Sequence, residues 1–292
     1  METKLKQDIA RPDSALVNAH AHTEWHCCRN VAGRDGFLPW VRRVLALETP
    51  PDWRRAVAEA AAEMKAEGIV AVGDYGAVDS AVKRGLIAGR HYLELLRDAP
   101  LPPDADSIAI HAVHTVPRST LESLARRNLH LSVHAGESGE EMMLYREGAG
   151  SMADLLLERG FSAAHIASLR GLSPLSILDK LGLVGPRMQV VHAMHLPESD
   201  LKIIAERGAH IVLCPVSNRE IGTAFLPGDE SFSRVMRMFD MGISLALGTD
   251  STLSCQALSL KDNAAILEDI GIMRTKIEPM MRNWTAIGLK VD

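Results

Sequence analysis

The stretch Leu16-Val17-Asn18-Ala19-His20-Ala21-His22 runs from apolar residues into two histidines one residue apart. In an extended strand, side chains at i and i+2 share a face, so His20 and His22 can aim two imidazoles at one point. Two neutral imidazoles converging at a strand end make half of a zinc-type site. An isolated HxH also arises as two surface or capping histidines. The reading therefore depends on whether the rest of the chain supplies further ligands.

Outward from this stretch the chain keeps one rhythm: a short apolar run, a polar turn, an amphipathic run, and again. Strands are predicted at 15–19, 69–73, 86–90, 108–113, 129–133, 188–191, 210–214 and 243–247. Helical patterns fall at 53–67, 120–128, 152–159, 198–207, 231–241, 258–270 and 278–287. Gly68 closes the first of these as a C′-type glycine, and Pro197 with Glu198 and Asp200 marks a helix start. Strands alternating with helices imply parallel strands and right-handed crossovers. Eight such units fit an α/β fold of the (β/α)8, or TIM-barrel, type better than an open sheet. The long, glycine-punctuated segment 147–185 reads as an elaborated crossover after strand five, so the barrel is expected to be distorted. Residues 1–14 are polar and read as an N-terminal arm. No composition shift divides the chain, which reads as one domain over 1–292.

Composition narrows the classes. With 292 residues, 47% hydrophobic and 24% charged, the chain can bury a large core. A formal net charge of −5 gives no reason to expect nucleic acid or an anionic membrane as partner. No apolar run would span a bilayer, and Met1-Glu2-Thr3-Lys4 opens no signal-peptide core. The four cysteines form no CxxC pair and no disulfide-like framework, which fits a reducing cytoplasm.

In such a barrel the active site lies at the C-terminal ends of the strands. Strand one ends in His20 and His22, and strand four runs into His111 and His114. Strand five ends in His134-Ala135-Gly136-Glu137 and strand six in His192. Strand seven ends in Cys214-Pro215-Val216-Ser217-Asn218, and strand eight in Gly248-Thr249-Asp250-Ser251. Metal-binding and acid–base chemistry at so many ends is difficult to assign to packing.

These motifs, in this order, resemble the amidohydrolase superfamily in its mononuclear aminohydrolase branch, over a span from Leu16 to about Gly288. Within it the chain is similar to adenosine, S-adenosylhomocysteine and aminodeoxyfutalosine deaminases. The stretch from Glu147 to Arg187 looks most like the aminodeoxyfutalosine deaminases of menaquinone biosynthesis. The resemblance implies a hydrolase acting on carbon–nitrogen bonds in cyclic amidines. His20, His22, His134 and Asp250 are the expected ligands of one divalent metal, Zn2+ or alternatively Fe2+. The ion brings its bound water toward a neutral pKa. Glu137 is the expected proton shuttle from that water to the ring nitrogen beside the amine-bearing carbon. His192 orients the hydroxide and stabilises developing charge, and Asp250 also accepts its hydrogen bond. Binuclear members carry a strand-four lysine that the stretch from Ser107 to Thr115 lacks, so one metal is expected. The PCxxC and HxE motifs of cytidine-deaminase-type zinc enzymes are absent.

Other residues carry less. His114 matches a strand-four histidine that contacts the purine in relatives; otherwise it is a polar residue at the barrel mouth. Trp40 matches a pocket tryptophan or else anchors a helix. Glu48 is one residue out of step with a ribose-binding glutamate. Arg90, read as the end of strand three, could take a carboxylate tail or an ordinary salt bridge. Ser217 and Asn218 read as shaping the strand-seven loop, and His26, Cys27 and Cys28 as pocket wall. Relatives carry a small β-sandwich built from both chain ends. Here most or all of it is expected to be missing, which exposes a surface suited to contacts between copies. The function expected is deamination of a 6-aminopurine nucleoside or related aminated heterocycle, adenosine- or aminodeoxyfutalosine-derived. The alternatives are release of chloride or an alkylamine from a heterocycle, and a catalytically idle barrel with a binding role.

Overall fold

The computed structural model describes residues 15–28, 31–47, 52–77 and 80–289; the predicted arm at 1–14 and Glu48 lie outside them. Eight strands follow one another around a single sheet in chain order: β1 Leu16–Ala21, β2 Ile69–Gly76, β3 Gly89–Leu95, β4 Ser107–Ala112, β5 His130–Ala135, β6 Met188–His192, β7 His210–Leu213 and β8 Ser244–Leu247. Every ladder is parallel. A parallel bridge between Ala21 and Asp250 brings the chain after β8 back to β1. The eight units thus make a (β/α)8 barrel, as the alternation predicts. Among the described residues every strand belongs to this sheet, and no helix is long and apolar enough to cross a membrane.

Small side chains face the barrel axis: Ala19, Ala71, Ala109 and Ala246 join the interior cluster. The volume they leave is filled by Tyr75 and Tyr92, and by Trp284 and Ile287 of the 3-10 turn Trp284–Ile287. Between sheet and helices lies a larger apolar shell that includes Met64, Ile110, Leu144 and Leu178. Most of the chain's hydrophobic stabilisation is expected from these two layers.

The third strand corrects the sequence reading. The predicted strand at 86–90 overlaps the observed one only at residues 89–90: a helix, Ser80–Leu86, ends there, and β3 begins only at Gly89. Gly89 has φ +142, and a Cβ on it would sit 1.9 Å from the Val72 carbonyl oxygen, so only glycine admits β3 against β2 here. The true strand was hidden because His91 and Glu94 interrupt its apolar pattern. The pattern at 278–287 is also out of phase. A helix, Arg274–Met280, ends, and Asn283 caps the 3-10 turn by accepting from the Ala286 N–H. The helix Glu198–Arg207 matches its expectation. Segment 147–185 is a crossover with three short helices, Ser151–Glu158, Ala163–Leu169 and Pro174–Lys180.

Candidate active site

The register of β1 decides where its histidines go. Asn18 pairs with Val72 and Ala21 with Asp74, so three steps in β1 oppose two in β2. This extra residue is a β-bulge, which changes the inward parity of the strand. Val17 and Ala19 face the interior, and after the bulge His20 and His22 do.

Three imidazoles and one carboxylate converge. His134 Nε2, at the end of β5, lies 3.3 Å from His20 Nε2 and 3.3 Å from His22 Nε2. Asp250 Oδ1, beyond β8, lies 3.5 Å from His20 Nε2 and 3.6 Å from His22 Nε2. A tetrahedron with metal–nitrogen bonds of about 2.05 Å has edges of about 3.3 Å, so the spacing suits a small divalent ion at the centre. Burial lowers the pKa of His20 and of His134, the latter well below the usual imidazole range with help from its histidine neighbours. His20 and His134 are therefore neutral, as metal ligands must be. Burial would raise Asp250, but hydrogen bonding from His20 and the surrounding imidazoles holds it well below the usual carboxylate range.

Outer contacts orient these groups. The His111 carbonyl accepts from His134 Nδ1 at 2.8 Å, leaving the Nε2 lone pair for the centre. Asp250 Oδ2 accepts from Ser217 Oγ at 2.6 Å and Ser254 Oγ at 2.8 Å, which turns Oδ1 inward. Asn218 Nδ2 donates to Thr223 Oγ1, so its Oδ1 faces His192 and accepts from Nδ1 at 3.2 Å. Ser217 and Asn218 thus hold the site directly, beyond the loop-shaping expected of them. His192, Ala193 and Asp250 all have positive φ (73°, 61° and 60°). Non-glycine residues adopt that conformation at an energetic cost, here where β6 and β8 turn into the site.

Glu137 is the remaining acid. Its Oε1 is buried without a hydrogen-bond partner and lies 3.5 Å from His192 Nε2. Burial, then the charges of Asp250 and Glu141, push its pKa well above the usual carboxylate range. Burial brings His192 down to about 4. Glu137, His192 and Asp250 form one potential ion-holding group, and His20, His22 and His134 another.

The centre opens on a cavity of about 350 Å³ whose outer wall is mainly apolar, with Phe37, Val41, Leu155, Leu156 and Phe161. Trp40 lines it, fixed by its Nε1–H to the Leu253 carbonyl at 3.2 Å. His114 lines it too, with Nδ1 3.3 Å from the Tyr145 hydroxyl and its pKa pulled to about 3 by burial. Arg90 does not. It opens β3 instead of closing it, and binds the Ile287 carbonyl at 2.7 Å and Ser107 Oγ at 2.9 Å, at the plugged N-terminal end of the barrel. Sequence reasoning missed Glu94, on the cavity wall, whose Oε1 is 2.8 Å from His111 Nδ1. Placing β3 in its true register was the signal that would have found it. Glu141 was also missed: its carboxylate accepts the Glu137 N–H at 2.9 Å.

Among known proteins, the 5'-deoxyadenosine deaminase of Methanothrix thermoacetophila is 24% identical over 301 residues, covering 92% of this chain. The chain spans 66% of that relative's length. Among solved structures, Helicobacter pylori aminofutalosine deaminase in complex with methylthio-coformycin superposes with a TM-score of 0.73 at 19% identity, over 91% of this chain and 70% of that one. A zinc-bound adenosine deaminase from Xanthomonas campestris gives 0.68 at 22% identity, over 94% of this chain and 67% of that one. Both confirm the barrel. Residues 104–281, which include His134, Glu137, His192 and Asp250, match the amidohydrolase family, and the chain belongs to it.

Proposed function

We propose that this chain is a metal-dependent hydrolytic deaminase of a 6-aminopurine nucleoside, adenosine- or aminodeoxyfutalosine-derived, or of a related aminated heterocycle. The observation that carries the reading is the orphaned, buried Glu137 Oε1 beside a convergent set of three histidines and Asp250 at the floor of a nucleoside-sized cavity. The names of similar proteins support the substrate class.

His20, His22, His134 and Asp250 would hold the ion, zinc by preference, given three imidazoles and one carboxylate. When bound it supplies Lewis acidity that makes water nucleophilic near neutral pH. Glu137 takes a proton from the attacking water and delivers it to the ring nitrogen beside the amine-bearing carbon, which makes that carbon electrophilic. Its raised pKa suits a group that must hold the proton between those two steps. His192, with Nδ1–H given to Asn218, presents an Nε2 lone pair, so it orients the water by accepting its hydrogen bond. Water adds, ammonia leaves, and the ring keeps an oxo group. Trp40 and His114 wall the base-binding space.

The test combines metal analysis with ammonia release from a panel of adenine nucleosides. One divalent ion per chain and release from at least one nucleoside are expected, with Asp250→Ala depleting the ion. A chain that binds no ion and releases no ammonia from any nucleoside overturns the reading.

A further inference from the structure

A buried ionic cluster sits behind the first metal-ligand segment, and the reaction does not use it. Asp74, near the end of β2, is fully buried. Its Oδ1 accepts the Thr23 N–H at 2.9 Å, one residue after His22. Its Oδ2 lies 2.7 Å from Lys83 Nζ and 3.3 Å from His91 Nδ1. Lys83, only 1% exposed, also reaches Glu24 Oε1 at 2.7 Å and the Tyr75 carbonyl at 3.1 Å. Glu24 Oε2 accepts the Ala77 N–H at 3.3 Å. Two successive residues of the 3-10 turn Thr23–Trp25 are thus tied to the end of β2. A Cβ on Gly76 would lie 1.8 Å from Glu24 Oε1, so β2 leaves room for this cluster.

Such a cluster is a poor source of net stability, because desolvating its charges offsets most of their attraction. What it supplies over an apolar filling is direction. Burial pulls the Lys83 pKa down, yet Asp74 and Glu24 raise it above the ordinary value, so the ammonium persists. His134 is oriented by the His111 carbonyl and Asp250 by two serines. Among the described residues nothing bonds the outward ring nitrogen of His22, so its backbone sets its aim.

We propose that Lys83, with Glu24 and Asp74, is a positioning group that fixes the turn after His22 and thereby the aim of that ligand. The proposal rests on the metal-centre reading above. Losing one outer partner of a ligand typically lowers metal affinity about 10- to 100-fold.

The experiment measures zinc affinity by chelator competition and the visible spectrum of the cobalt(II)-loaded protein. It compares the parent chain with Glu24→Gln, Lys83→Met and the double variant. Ser173→Ala, which breaks the contact between Ser173 in the crossover after β5 and Asp200 in the helix after β6, controls for general destabilisation. Affinity is expected to fall about 10-fold or more in the cluster variants, with shifted cobalt bands, while Ser173→Ala keeps parental values. If Lys83→Met fails to fold, having lost the ammonium between two carboxylates, Glu24→Gln and the double variant decide. Parental affinity and spectrum in those two overturn the proposal. A parent chain that binds neither ion overturns the metal centre itself, a separate failure.

Discussion

Glu137 combines three properties at one atom: burial, an unpartnered Oε1 and a pKa raised by its surroundings. Glu137→Gln keeps the shape and removes the proposed proton carrier. The variant should retain its metal and lose about 10²- to 10⁴-fold in deamination rate, read by metal analysis and ammonia release. Retained activity would take the shuttle role from Glu137. Glu141 makes a prediction in stability. Burial raises its pKa from 4.5 to about 8, against hydrogen bonds from the Glu137 and Gly136 backbone. The folded state therefore keeps a proton that the unfolded chain has released. Its own contribution to stability falls as pH rises from about 4.5 to about 8 and levels off above. Glu137 acts in the same direction. The buried histidines whose pKa values burial lowers act in the opposite direction below 6.5, so the test is a difference: in urea unfolding of the metal-free protein, the stability of the parent minus that of Glu141→Gln should fall across this window, and a constant difference would remove the Glu141 assignment.

At the level of elements, the strand ends were legible because their chemistry is local. The motifs around His20, His134, His192 and Asp250 each announce a strand terminus by residue type, and the structure brings them together. Arg90 was misread for the opposite reason. Its place depends on the register of β3, set by a close approach of Gly89 to Val72 that no local pattern reveals. The bulge in β1 was equally hidden, and so were the partners of Ser217 and Asn218, which lie 33 and 26 residues away. Gly248 is another such contact: a Cβ on it would stand 2.7 Å from His20 Cβ and 2.9 Å from Val212 Cγ1. Gly248→Ala should cost about 1–3 kcal/mol of stability by overpacking and reduce zinc content by pushing His20 off the centre. Parental zinc content and unfolding midpoint would show that β1 and β8 can separate without consequence.

Across the whole molecule, the joint between β1 and the β8 side differs from the others. Seven neighbouring pairs share ladders, whereas here the described residues show one bridge, Ala21–Asp250. The Thr249 and Asp250 N–H groups donate to the His20 carbonyl, and the Asn18 side chain bonds Thr249. Two proposed ligands lie on one side of this joint and one on the other, so an ion there acts as a clasp on a hoop. Part of its binding free energy becomes the free energy of keeping the hoop shut. Chelation should then speed amide hydrogen exchange in β1 and in residues 248–251 ahead of β5 and β6, and zinc should restore protection there first. Uniform loss of protection around the ring would mean that the ion steadies the barrel as a whole and not its seam. For a bound substrate the same clasp would have a kinetic meaning: the slowest breathing of the barrel would be set by how firmly the proposed ion is held.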